Sequence, residues 1–270
     1  MKLFELRKQL KSEFASLSIE TEDVDFIVAE VLNTKRTDLI LIDNITHEQE
    51  KDIREKCEMR KHKIPVDKIF GRAYFYGYEF KVDENVLSPR AESELLVETA
   101  IKYIKENNYK TALDLCTGSG CLAIATKLNC DIEMMATDIS QKALNIAKQN
   151  AKNLNADIKF IRSNMFEKIE GTFDIIISNP PYIDSDEVKE LDLEVVNNDP
   201  HLALDGGDMG LKFYNIIHDN LRKFLNDGGM IIMEIGEDQK ELIISLFNDF
   251  NLVEGLTDLS GNDRVLVFKK

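Results

Sequence analysis

The residues Asn179-Pro180-Pro181-Tyr182 follow directly on the apolar run Ile175–Ile177. A strand that ends this way delivers Asn179 to the carboxyl edge of a parallel sheet, where open α/β sheets bind ligands. Each proline lacks an amide hydrogen and fixes φ, and a proline before a proline biases Pro180 to an extended conformation. The turn is therefore stiff, and the Pro180 carbonyl has no helical partner. Asn179 Oδ1 and that carbonyl make two acceptors for the two hydrogens of a planar NH2 group, with Tyr182 packing on its flat face. Such a pair can hold an amide nitrogen in line with an electrophile and favour the positive charge that develops on it.

A second constellation lies upstream. In "LDLCTGSGCLA", Gly118, Gly120 and Ala123 form G-x-G-x-x-A between a strand pattern and a helix start. Glycine permits a tight turn and close approach of a ligand, and the free amides of a helix N-terminus face it. Asp138 follows Gly118 by twenty residues, at the end of the next strand, where a carboxylate can accept from both ribose hydroxyls. The spacing suits an adenosine-type cofactor, NAD or S-adenosylmethionine. Asp114, just before the loop, favours a ligand carrying an ammonium and a sulfonium over a pyrophosphate, which it would repel.

These residues need a sheet to position them. "TALDL", "IEMMATD", "IKFIRS", "FDIIISN" and "GMIIMEIG" read as apolar strands, and helical patterns begin near Cys121, Ser140, Leu211 and Glu237. Alternating strands and helices predict a parallel sheet covered on both faces, an α/β fold. "LVEGLTD" and "RVLVFKK", joined through "LSGND", predict an antiparallel hairpin at the sheet edge. Ser88 reads as an N-cap with Pro89 at the first helical position of the segment Leu95–Ile104. Upstream, residues 73–87 read as a hairpin-like connector.

Residues 1–72 carry no strand signal. Leu3, Leu6, Leu10 and Phe14, then Val24, Ile27, Val28 and Val31, recur at helical spacing, and Thr46 with Gln49 forms a capping box for a third helix closed by Pro65. The expected division is a helical domain over 1–72, the connector 73–87 and a catalytic domain over 88–270. The third helix is basic around Lys51, Arg54, Arg60 and Lys61, which predicts either a solvated face or a docking surface for a partner.

The net charge of −15 argues against stable nucleic-acid binding, which rests on Lys and Arg neutralising phosphates. Residues 1–72 hold 14 basic and 15 acidic side chains, so the acidity lies almost entirely in the remainder, with 20 against 34. The four cysteines, Cys57, Cys116, Cys121 and Cys130, show no metal-ligand spacing, so no metal is expected. Reduced thiols and the lack of a long apolar run point to a cytoplasmic protein without membrane association.

At these motifs the chain resembles the PrmC/HemK family of protein-(glutamine-N5) methyltransferases. The resemblance runs through "GRAYFYGYEFKVDENVLSPRAESE", "DLCTGSG", "TDIS", "ISNPPYI", "DPHLALDGGDMGLKFY" and "DLSGNDRVL". It implies a Rossmann-like S-adenosylmethionine-dependent methyltransferase sheet with a C-terminal antiparallel hairpin, plus a small all-helical N-terminal domain that docks substrate. It implies methylation of the glutamine in the Gly-Gly-Gln motif of class I peptide-chain release factors, which would be the partners. The implied catalytic residues are Asn179, Pro180 and Tyr182, with Pro181 in the substrate loop. The implied cofactor set is Asp114, Cys116, Thr117, Gly118, Ser119, Gly120, Asp138, Asn164, Met165 and Asn179. Cys116 stands where the family commonly has glycine, so its φ is negative or a cost is tolerated. Asn164 replaces an Asp that would accept from the adenine amino group, which removes charge assistance. Ser93 stands for threonine. Asn-Pro-Pro-Tyr is shared with adenine-N6 methyltransferases of DNA and RNA, so that activity, a non-catalytic adaptor and an NAD-dependent dehydrogenase are the alternatives.

Overall fold

The three-and-four spacing of Leu3, Leu6, Leu10 and Phe14 becomes the buried side of α1 (Leu3–Ser16) in the computed structural model, which describes all 270 residues. α2 (Glu22–Val31) adds Val24, Ile27 and Val28, and α3 (His47–Lys61) adds Ile53 and Cys57 to the same core. The capping box forms: Gln49 N donates to Thr46 Oγ1 at 3.1 Å and Thr46 N donates to Gln49 Oε1 at 2.9 Å. Two amides that the helix itself cannot satisfy are thereby satisfied. A 3₁₀ turn over Arg36–Leu41 and the short α4 (Val66–Phe70), which ends on Gly71 at φ 66°, were not legible in the periodicity.

The rest of the chain is α/β. A hairpin of β1 (Arg72–Phe75) and β2 (Tyr78–Lys81) leads to α5 (Glu94–Asn107), β3 (Thr111–Leu115), α6 (Cys121–Asn129), β4 (Glu133–Asp138), α7 (Gln141–Asn153), β5 (Ile158–Arg162) and β6 (Phe173–Ser178). α8 (Leu193–Asn198), α9 (Lys212–Phe224), β7 (Leu225–Glu234), α10 (Lys240–Leu246), β8 (Asn251–Thr257) and β9 (Asp263–Lys269) follow. The seven-stranded sheet has the order β5-β4-β3-β6-β7-β9-β8, parallel through β7, with β9 and β8 antiparallel as the predicted terminal hairpin. Alternate residues of each strand serve opposite faces. Ala112, Ile175, Ile177 and Ile232 pack with α5 and α6, while Leu113, Leu115, Ile176, Ile231 and Met233 pack with α9 and α10. The chain leaves β3 toward β4 and β5, then returns to β6 on the other side of β3. That reversal opens a crevice at the carboxyl ends of β3, β4 and β6.

Two details differ from the sequence reading. The compact units are Met1–Gly71 with Leu193–Asn198, and Arg72–Asp192 with Asp199–Lys270, so the connector belongs to the larger unit and α8 to the helical one. Ser88 is not an N-cap: Arg90 is extended at φ −103°, ψ 143°, and the helix begins after a 3₁₀ turn over Ala91–Ser93.

The basic face of α3 is neutralised within its own unit. Arg60 is buried, donating from Nε to Asp23 at 2.6 Å and from Nη1 to Glu194 of α8 at 2.7 Å. Lys61 pairs with Glu13 and Glu58, Arg54 with Glu50, and Lys51 with Glu55. Arg60 and Lys61, held by acids far away in the chain, therefore have a structural role, whereas Lys51 and Arg54 pair with acids one turn away on the helix surface. Arg60→Ala is expected to lower the stability of the helical unit by about 2 kcal/mol, because two carboxylates lose charged donors. Lys51→Ala at the exposed 3.7 Å pair should change it by less than about 0.5 kcal/mol. Urea unfolding of the two variants measures the contrast.

Candidate functional site

β3 releases the chain into Cys116–Gly120, where three of five residues take left-handed conformations: Cys116 at φ 62°, Gly118 at 54° and Gly120 at 83°. Of the two readings open for Cys116, the tolerated cost holds, on the order of 1–2 kcal/mol for a residue with a Cβ. Burial pushes its thiol well above the ordinary range, so it is no thiolate nucleophile. Its Sγ lies 3.6 Å from Met165 Sδ. At Gly118 an added Cβ would meet no atom within 4 Å, so the loop presents open backbone there. Gly120 serves packing instead: its Cβ would press on Ala147 and Ile124 at 3.1 Å.

Asp138, at the end of β4, shapes this loop. Its Oδ2 accepts from Gly118 N at 2.9 Å and its Oδ1 from Ser140 N at 2.8 Å, the latter at the start of α7. Burial raises its carboxyl above the ordinary value while these amides oppose the rise. Each oxygen keeps a further lone pair for a ligand hydroxyl.

Asp114 lies beneath the loop, fully buried, and does not line the cavity. Its Oδ2 accepts from Thr117 Oγ1 at 2.6 Å, while Oδ1 receives no hydrogen bond of proper geometry, although the Ala123 amide lies close enough to favour the charge. Direct contact with a ligand is thus replaced by ordering of the loop through Thr117.

The crevice is a cavity of about 350 Å³, in the range of small-molecule sites. It gathers Cys116, Thr117, Gly118, Ser119, Asp138, Asn164, Met165, Asn179 and Pro181 from the residues singled out in the sequence. Asp114, Gly120, Pro180 and Tyr182 are not on its wall. Asn164 donates from Nδ2 to Glu167 Oε1 at 2.7 Å, which turns its Oδ1 outward as an acceptor. Met165 and the exposed Ile139 supply apolar cover. Ser88 Oγ, buried on the wall, has no partner within the protein and suits a polar atom of a ligand. Open backbone at Gly118, spare lone pairs on Asp138, apolar Met165 and Ile139, and unpartnered Ser88 together fit a nucleoside.

At the turn Asn179–Tyr182, Asn179 donates from Nδ2 to Ser93 Oγ at 3.3 Å, and Ser93 donates to Glu234 Oε2 at 2.5 Å. Tyr182 does not lie flat over the cavity as expected. Its ring packs under the sheet and its hydroxyl donates to Glu234 Oε1 at 3.3 Å. No backbone amide donates to the Pro180 carbonyl. The loop is clamped by the segment Leu204–Gly210. Ile183 N donates to Leu204 O and Gly206 N to Ile183 O, while Gln239 Nε2 donates to Tyr182 O at 2.9 Å. A Cβ at Gly206 or Gly210 would collide with the backbone of Tyr182, which explains the first and last glycines of "DGGDMG". Glu234 escaped the sequence reading, where its one signal was a charged residue closing the apolar strand "GMIIME", and Ser93 entered that reading only as standing for a threonine, with no role given.

Comparison with known proteins agrees with this geometry. The "Methyltransferase small domain" family matches residues 80–212 and the "PrmC N-terminal domain" family matches residues 5–71. A "Release factor glutamine methyltransferase" of Agrobacterium fabrum is 37% identical over 99% of this chain and 96% of its own length. One from Streptococcus pneumoniae is 38% identical, covering 99% and 98%. Among solved structures, a methyltransferase from Pyrococcus furiosus superposes with a TM-score of 0.56 at 18% identity, over 79% of this chain and 98% of its own. The hMettl16 catalytic domain, solved with an RNA hairpin, gives 0.56 at 16%, over 79% and 81%. The two structures show the shared fold.

Burial pushes the Asp114 carboxyl up to about 7, against an ordinary value near 3.8 in an unfolded chain. A raised carboxyl contributes stability that is complete below the unfolded value and lost as pH rises through the folded one. The melting temperature of wild type minus that of Asp114→Asn should therefore fall between about pH 4 and pH 7. A difference that rises over that window would show that Asp114 is held as an anion by its surroundings.

Proposed function

The chain belongs to the family of release factor glutamine methyltransferases, and on that premise we propose that it methylates the side-chain nitrogen of the glutamine in the Gly-Gly-Gln motif of class I peptide-chain release factors. The observation that carries the reading is the orientation of Asn179. Its NH2 group is committed to Ser93, so its Oδ1 is left as the acceptor, next to a Pro180 carbonyl that takes no backbone hydrogen bond. A glutamine amide offers two hydrogens in one plane, and two acceptors fix that plane.

The cofactor in this reading is S-adenosylmethionine, which when bound supplies an electrophilic methyl group on a sulfonium. Asp138 would accept from the ribose hydroxyls, Asn164 Oδ1 from the adenine amino group, and Met165 and Ile139 would cover the ring. The loop Cys116–Gly120 leaves open backbone at Gly118 for close approach. The amide nitrogen is a weak nucleophile because its lone pair is delocalised. Asn179 Oδ1 and the Pro180 carbonyl draw on its hydrogens, which favours the positive charge that grows on nitrogen as the carbon–nitrogen bond forms and the carbon–sulfur bond breaks. The N-methylated cation is strongly acidic and loses its extra proton to solvent, so no dedicated base is required. Tyr182, whose hydroxyl donates a hydrogen bond to Glu234, supports the loop from beneath.

The helical unit carries no chemistry, and Lys51, Arg54, Arg60 and Lys61 of α3 each have an acid partner. It does expose adjacent apolar side chains, Ile40 at 84% and Leu41 at 81%, on the 3₁₀ turn. In this reading that turn docks against the release factor outside the Gly-Gly-Gln loop and raises the local concentration of that loop at the cavity.

Three measurements test the proposal. With labelled S-adenosylmethionine and purified release factor, the methyl group should appear on the Gly-Gly-Gln glutamine by mass spectrometry. Asn179→Ala should lower kcat by about 100-fold or more while leaving the affinity for S-adenosylhomocysteine within a few-fold; near-normal turnover would remove Asn179 from catalysis. The double variant Ile40→Asp, Leu41→Asp should lower kcat/KM on intact factor by about tenfold and leave that on a short Gly-Gly-Gln peptide unchanged. Equal losses on both substrates would end the docking role.

A further inference from the structure

Beneath Asn179 lies a chain of polar groups that the reaction does not touch. Glu234 closes β7, buried to 3% exposure, and it gathers donors from four parts of the larger unit. Ser93 Oγ, from the 3₁₀ turn before α5, gives its proton to Oε2, and the Tyr182 hydroxyl gives its proton to Oε1. Burial pushes the Glu234 carboxyl above its ordinary value, while the Ser93 hydroxyl, the nearby Arg264 of β9, the Tyr182 hydroxyl and the Asn179 side-chain amide oppose that rise and favour the anion. The Tyr214 hydroxyl of α9 donates at 2.8 Å to the Glu234 backbone carbonyl, which fixes the end of the strand.

A carboxylate has no hydrogen to give, so every hydrogen in such a cluster must point toward it. The Ser93 hydroxyl has one proton, and once that proton is committed to Glu234 only its lone pairs face Asn179. Asn179 can then meet Ser93 only with its NH2 group. Its carbonyl oxygen is forced to the opposite side, toward the cavity it lines. Without the anion the serine hydroxyl is free to rotate and donate to Asn179 Oδ1. The amide then turns over and presents its own hydrogens to the hydrogens of the substrate, which cannot bind that way.

Resting on the proposed glutamine methylation, we propose that Glu234, acting through Ser93, is the positioning residue that sets which face of the Asn179 amide meets the substrate. It makes the site selective for substrates that donate two hydrogens in one plane. Neither residue touches the reacting atoms.

The test uses the full-length protein and separates polarity from packing. Glu234→Gln keeps the volume but supplies an NH2 group that can reverse the chain. It should lower kcat at saturating cofactor by about 10- to 100-fold, with S-adenosylhomocysteine affinity within about twofold of wild type. Ser93→Thr keeps the hydroxyl and should stay within a few-fold of wild type, whereas Ser93→Val, of the same shape as threonine without the hydroxyl, should fall as Glu234→Gln does. A readout independent of substrate is the side-chain 15N–1H2 resonance of Asn179 in the cofactor-free protein, which should shift and lose exchange protection in Glu234→Gln. The relay is overturned if Glu234→Gln turns over at the wild-type rate with that resonance unchanged, or if its kcat loss is matched by an equal loss of cofactor affinity. If Ser93→Val does not fold, Glu234→Gln decides alone. Wild-type protein that fails to methylate release factor would instead overturn the proposed function, while the Asn179 resonance would still report on the relay.

Discussion

A carboxamide nitrogen shares its lone pair with its own carbonyl, and a catalyst that alkylates it must hold both hydrogens while an electrophile is brought up along the remaining direction. That demand sets the rest of this protein. Two acceptors must stand a fixed distance apart on backbone that does not move, one of them must be an amide that cannot turn over, and a cofactor must lie across from them. In the proposed reaction Asn179 and Pro180 supply the first, because proline fixes the backbone between them. The clamp of Leu204–Gly210, with glycines where side chains would strike Tyr182, holds that backbone in place. The second falls, in the relay proposed above, to the polar chain from Asn179 through Ser93 to Glu234.

The sheet supplies the third requirement. β3 and β6 are neighbours, yet the chain departs from one in the opposite direction to that by which it reaches the other. The cofactor loop after β3 and the substrate loop after β6 therefore diverge over one crevice, and Asp138 arrives from β4 beside them. The Asp138 carboxylate ties the loop after β3 to the start of α7, since it accepts from Gly118 and Ser140. Preorganisation of this kind is what makes aligned acceptors effective, because little reordering remains for the moment of reaction.

The local chemistry was legible in the sequence. A Gly-rich turn after a strand, an acid twenty residues on and Asn-Pro-Pro-Tyr after an apolar run each carry their meaning in neighbouring residues, as does the Thr46–Gln49 capping box. What escaped depends on pairs far apart in the chain. Ser93 and Glu234 are separated by 141 positions, and Arg60 meets Glu194 across 134. The basic stretch of α3 looked free because its distant partners were invisible, and Tyr182 looked like a cavity wall because nothing local shows which way a ring turns. Ser88 illustrates the same limit: Ser-Pro reads as a cap, but the extended Arg90 moves the helix start and leaves the serine hydroxyl on the cavity.

The central claim is geometric, and the most direct measurement is a crystal structure of the complex with S-adenosylhomocysteine and a Gly-Gly-Gln peptide. The account predicts the glutamine side-chain nitrogen within hydrogen-bond reach, about 3 Å, of both Asn179 Oδ1 and the Pro180 carbonyl oxygen, with Asn179 Nδ2 still on Ser93. A glutamine amide held by other groups, or an Asn179 whose NH2 faces the substrate, would contradict it.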